Sequence, residues 1–181
     1  MTLASQLQTG LTWNLDEGAV DSSKLTYKKK FTDGSGHDQA DMVWHAENQS
    51  LGDGVAHYLD LTGLTRTVFG KEIAFDFERI KAIHIVNSST SDGTLLVGNA
   101  DYDAWWAPFR TVDDHVEVPP DSPLVLANRK DGWYVTGGGV SSSGETGDDR
   151  ILKIAASGGA AIYDIAIIGT EAVYVSSSSG S

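Results

Sequence analysis

The stretch ILKIAASGGAAIYDIAIIG, from Ile151 to Gly169, is the most apolar run in the chain and the one that most limits its fold. A membrane-spanning helix needs about 20 consecutive apolar residues. Here Lys153, Asp164 and the Ser157-Gly158-Gly159 break all interrupt the run. A reversal inside a soluble domain fits better, because Gly158-Gly159 supplies the positive φ that a two-residue turn favours. Partners written outward from that turn set Ser157 against Ala160, Ile154 against Tyr163 and Lys153 against Asp164. Side chains alternate faces along a strand. Leu152, Ile154, Tyr163, Ile165 and Ile167 then share one face, and the two charges share the other. The expectation is a β-hairpin with one buried face.

The remainder of the chain reads the same way. No segment longer than about ten residues keeps the 3.6-residue apolar period of a helix. Short β-branched and aromatic runs between Gly, Asp, Asn, Ser and Pro clusters predict strands instead. They fall at 11–15, 24–32, 41–46, 56–61, 66–69, 73–77, 82–87, 94–98, 115–118, 124–127, 133–136, 151–156 and 161–168. Ile83 and Ile85 should share a face opposite His84 and Val86, and Leu124 and Leu126 should face away from Val125. Pro119, Pro120 and Pro123 suit the entry to an edge strand. Asp92-Gly93 suits a tight reversal. The expected fold is all-β, an antiparallel β-sandwich of jelly-roll-like type. It comprises an N-terminal arm over 1–15, a single sandwich domain over 16–174 and a flexible tail, VSSSSGS, over 175–181.

Charge and cysteine content narrow the function classes. A net charge of −12 argues against nucleic acid as a direct partner, since phosphate binding needs clustered Lys and Arg. Without cysteine there are no disulfides, thiol nucleophiles or thiolate metal sites. The N-terminus lacks the basic and apolar regions of a secretory leader, so synthesis in a cytoplasm with no export by that route is expected. No membrane partner is expected either.

Two segments have the look of functional loops. GNADYDAWWAPFRTVDDH, over 98–115, carries Tyr102, Trp105, Trp106 and Phe109 among acids. Exposed aromatic faces can stack on sugar rings while carboxylates accept from hydroxyls, so a glycan platform of Tyr102, Trp105 and Trp106 is one reading. Closure of one end of the sandwich, or burial in a subunit contact, is the other, and it carries more weight because large aromatics dominate core and interface burial. Asp101, Asp103, Asp113 and Asp114, with Glu145, Asp148 and Asp149 in the second loop, are oxygen donors of the kind Ca²⁺ takes. No EF-hand spacing accompanies them, and solvated loop acids are the better account. The second loop, GGGVSSSGETGDD over 137–149, lacks the G-K-[ST] of a phosphate cradle.

Histidines 37, 45, 57, 84 and 115 are scattered, without metal-binding spacing. No G-x-S-x-G motif marks a serine nucleophile. No cofactor is expected. Lys28-Lys29-Lys30 reads as a charged strand edge that discourages strand addition.

The order DDHVEVPPDSPLVLANRKDGWYVT, a Gly/Ser loop, then DRILKIAASGGAAIYDIAIIGTEA resembles the end of small β-sandwich structural proteins of tailed bacteriophages. Val116, Val118, Pro119, Pro120, Leu124, Leu126, Gly132 and Trp133 carry the first part of the likeness. Leu152, Ile154, Gly158, Tyr163, Ile165 and Gly169 carry the second. The likeness spans roughly residues 74–173; KLTYKKKFTDGSGHDQADMVWH lies outside it. It implies a non-enzymatic virion component, a head decoration or cement protein or a tail accessory, assembled in the host cytoplasm. It also implies a homo-oligomer touching other virion proteins such as the major capsid protein. The alternative from a different class is a carbohydrate-binding module.

Overall fold

The computed structural model describes residues 3–16, 20–135 and 149–171. Its strands are β1 (Ser5–Asp16), β2 (Val20–Phe31), β3 (Met42–Leu51), β4 (Ala56–Asp60), β5 (Leu64–Val68), β6 (Lys71–Phe75) and β7 (Phe77–Asn87). They continue with β8 (Thr94–Gly98), β9 (His115–Val118), β10 (Ser122–Ala127), β11 (Trp133–Tyr134), β12 (Ile151–Ser157) and β13 (Ala161–Glu171). Each expected strand has a counterpart, end for end at 94–98 and 115–118 and with shifted ends elsewhere, and the described residues contain no helix. One sheet runs β10-β7-β13-β3, with β11 also beside β7, and a second runs β4-β12-β8-β9. β1-β2 and β5-β6 form two-stranded ribbons. All these strand pairings are antiparallel.

The two larger sheets form a sandwich around one core. Ile80, Ile83 and Ile85 of β7 and Tyr163, Ile165 and Ile167 of β13 meet Leu95 and Val97 of β8 and Leu152 and Ile154 of β12. Full burial of each such aliphatic side chain contributes about 1.5–3 kcal/mol. The alternation expected on β7 and β10 holds. Ile83 and Ile85 are buried while His84 is exposed. Leu124 and Leu126 pack on the main core, whereas Val125 packs on the outer side, beside Ala82 and Phe31. Pro123 lies in β10, which ends its sheet, where a missing N–H costs no ladder bond.

The expected hairpin between β12 and β13 does not form. β12 is flanked by β4 and β8, and β13 by β7 and β3, so neither has an edge left for the other. The Gly158-Gly159 segment instead carries the chain from one sheet to the other. The Ala160 carbonyl accepts from Asp92 N and Gly93 N, both at 2.9 Å, and the Ile162 carbonyl accepts from Ser88 N at 2.8 Å. Asp92-Gly93 belongs to a second crossing of the same kind, from β7 to β8, rather than to a hairpin. The two crossings are stacked so closely that a Cβ on Gly93 would lie 2.1 Å from the Gly159 carbonyl oxygen. Lys153 and Asp164 are therefore not partners. Lys153 Nζ donates to Asp101 at 3.1 Å, and Asp164 accepts from Asn48 N at 2.7 Å. The apolar residues of the run do share the core, but they face each other across it.

At the N-terminus the expected arm is one leg of a ribbon. β1 pairs with β2 from Ser5↔Phe31 to Asp16↔Val20, across the boundary expected at residue 15. The ribbon is rooted where Leu7 and Phe31 pack with Ala40 and Ala82, against Val125 and Ile168 on the outer side of the five-stranded sheet. The expected tail, 175–181, lies outside the described residues.

Candidate functional site

The loop between β8 and β9 leaves the sheet at Gly98, whose φ is +113°. A side chain there would meet the Asp114 carbonyl at 2.7 Å and the Phe109 ring at 3.1 Å, so glycine lets the loop return on itself. Backbone bonds then tie the loop to the start of β12. Trp105 N donates to the Ile151 carbonyl at 2.9 Å, and Ile151 N donates to the Asp103 carbonyl at 2.8 Å. This fixes the neighbouring side chains of the loop relative to β12 and to β4 beside it.

Trp105 points inward. It is 1% exposed, its Nε1 donates to the Tyr134 carbonyl at 2.9 Å, and its ring meets Trp133 edge-on at 6.2 Å. Phe109 is partly buried against the same core. Tyr102 and Trp106 point outward, at 56% and 39% exposure. The loop therefore divides its aromatics between closing the sandwich and facing solvent, and Trp105 is no part of an exposed platform.

The outward group is completed by residues from the four-stranded sheet. Tyr58 of β4 stacks on Tyr102, with ring centroids 5.5 Å apart and planes 16° from parallel. The Tyr58 hydroxyl donates to Asp101, and Lys153 of β12 donates to the same carboxylate oxygen. Lys153 Nζ also sits 5.7 Å from the Tyr58 ring centre. Arg150 pairs with Asp60 at 3.4 Å and with Asp103 at 3.8 Å. Trp106 Nε1 donates to Asp149 at 3.2 Å. Beside them opens a cleft of about 510 Å³ lined by Asp101, Tyr102, Asp103, Val112, Asp113 and Asp149 among others.

The electrostatics follow from these bonds. Hydrogen bonding to the Asp101 carboxylate raises the Tyr58 phenol above its ordinary value. The same bond, with that from Lys153, holds Asp101 below the usual carboxylate range. Around neutral pH the pair presents a protonated phenol and an ionised carboxylate, suited to hydrogen-bonded recognition.

Of the acids considered as calcium donors, Asp101 and Asp103 face cations of the chain itself, and Asp114 caps its own turn by accepting from Thr111 N at 2.9 Å. Glu145 and Asp148, with most of the Gly/Ser loop, lie outside the described residues. Among the described residues no three His, Asp or Glu side chains are grouped to hold a metal ion, and no helix is long and apolar enough to cross a membrane. The histidines are dispersed: His37 pairs with Asp131 at 2.9 Å, and His57 shares a 2.9 Å hydrogen bond with Tyr163 in the sandwich. Tyr58 is not singled out by the sequence, which sets Lys153 against Asp164 rather than against Asp101. Tyr58 lies 43 residues from the carboxylate it bonds, and the pairing of β4 with β12 sets it opposite Lys153. No protein-family model matches the chain, and neither does any curated protein.

Proposed function

We propose that the chain is a non-enzymatic virion structural protein of a tailed bacteriophage, a head decoration or cement protein or a tail accessory. It would stabilise the particle through oligomeric β-sandwich contacts. The observation that carries the reading is a compact two-sheet sandwich bearing a long two-stranded ribbon whose residues 24–30 are all exposed. A lone two-stranded ribbon is marginal in water and gains its stability from another surface. The interleaved orders β10-β7-β13-β3 and β4-β12-β8-β9, each mixing early and late strands, support a jelly-roll wrap. The positions that carry the phage-protein likeness support it too, since Val118, Leu152, Ile154, Tyr163 and Ile165 all contribute to the core. The test is loss and restoration. Particles made without the chain should lose heat resistance and regain it when the purified chain is added back; unchanged resistance without rebinding removes the proposal.

A second reading rests on the Tyr58–Tyr102 stack, exposed Trp106 and ionised Asp101, which together resemble a glycan platform. Retention on a glycan surface that is lost in Tyr102→Ala/Trp106→Ala, with the fold intact, would favour this reading.

A further inference from the structure

We propose that the β1-β2 ribbon of one chain docks on the acidic end of a second copy, around the loop between β8 and β9, in a head-to-tail contact. The inference rests on the structural reading above and names its contact. Four of the chain's thirteen basic residues, and none of its twenty-five acids, fall within 24–30. The ion pairs that Lys and Arg make among the described residues use Arg79, Arg129, Arg150 and Lys153, and leave Lys24, Lys28, Lys29 and Lys30 out. Alternation sends Lys24, Lys28 and Lys30 to one face of the ribbon and Leu25, Tyr27 and Lys29 to the other. That second face is the one whose Phe31 packs on the body, yet Leu25 and Tyr27 further out are 69% and 41% exposed. The ribbon thus offers a cationic face and, on the other side, uncovered Leu25 and Tyr27 beside exposed Lys29.

The complementary surface belongs to the chain itself. Asp101, Asp103, Asp113 and Asp149 line the cleft beside exposed Tyr102 and Trp106, with Asp101 and Asp103 also paired to Lys153 and Arg150 of the same chain. Lysine on such rings adds a cation–π attraction to the charge pairing. The ribbon is rooted on the outer side of the five-stranded sheet, while the cleft borders β4 and β12 of the other sheet. Donor and acceptor surfaces on opposite sides of one body make a heterologous contact, which closes into a ring or extends along a lattice.

The experiment is sedimentation velocity of the full chain over a range of protein and salt concentrations, beside Lys24→Glu/Lys28→Glu/Lys30→Glu and Asp113→Lys. The wild type should associate, and less so as salt rises. The ribbon variant should associate more than about tenfold more weakly, because like charges are set against each other. Asp113→Lys should also weaken association. Unchanged thermal melting of both variants would place the loss in the contact rather than in the fold. Equal association of the ribbon variant and wild type would overturn the contact. So would a wild-type chain that stays single while being retained on DNA or on anionic vesicles. A chain abundant in particles yet single in solution would also overturn it, leaving the structural reading in place.

Discussion

The Tyr163 hydroxyl lies 2.9 Å from His57 Nδ1, joining a central strand of one sheet to an edge strand of the other. Burial raises the Tyr163 phenol well above its ordinary value. In the unfolded chain the phenol ionises near pH 10, about its free value, whereas in the folded chain it stays protonated. The unfolded state thus releases a proton that the folded state keeps, so stability is complete below that pH and falls as pH rises beyond it. Urea unfolding between neutral and strongly alkaline pH should show this decline, and Tyr163→Phe should flatten it. At neutral pH the same substitution should cost about 1 kcal/mol, the net worth of one hydrogen bond.

Gly93 and Gly158 both lie in turn-like segments but serve differently. A side chain on Gly93 meets the Gly159 backbone, while one on Gly158 meets nothing within 4 Å and has only its φ of +77° to oppose it. Gly93→Ala should cost about 1–3 kcal/mol through forced separation of the two crossings. Gly158→Ala should cost about 1 kcal/mol from backbone strain alone. Equal costs in denaturant titrations would argue against stacked crossings.

Trp105 and Trp106 are adjacent in sequence and opposite in role. Trp105→Ala empties a core site and leaves the Tyr134 carbonyl without its donor, at about 3–5 kcal/mol. Trp106→Ala should stay within about 1 kcal/mol, as a surface change does. Unfolding curves of the two variants separate these outcomes, and similar midpoints would contradict the inward placement of Trp105.

Asp101→Asn weakens the hydrogen bond that raises the Tyr58 phenol and removes the charge that adds to it. Ultraviolet titration, with Tyr58→Phe to assign the signal, should show that phenol moving down toward the ordinary value of about 10. An unmoved titration would mean that the Tyr58–Asp101 bond is absent in solution.

Period-two patterning made the strands and their buried faces legible in the sequence, because each strand's alternation is local. Ile83, Ile85, Leu124 and Leu126 all point where alternation sends them. Partner choice was not legible. Gly158-Gly159 has the chemistry of a hairpin turn, but β12 and β13 each fill both edges with distant strands. Nothing local to that turn distinguishes a hairpin from a crossing between sheets. The same limit hid the site. Tyr102 and Trp106 stood out as loop aromatics, yet Trp105 beside them is core, and Tyr58 and Lys153 arrive through non-local pairing.

The proposed role makes this chain a component of assembled particles. Peptide mass spectrometry of density-banded particles from the source culture, calibrated against a major shell protein, tests it most directly. Many copies per particle are expected, in fixed ratio to the shell protein and enriched with it through banding. Absence from intact particles in a culture that expresses the chain would contradict it.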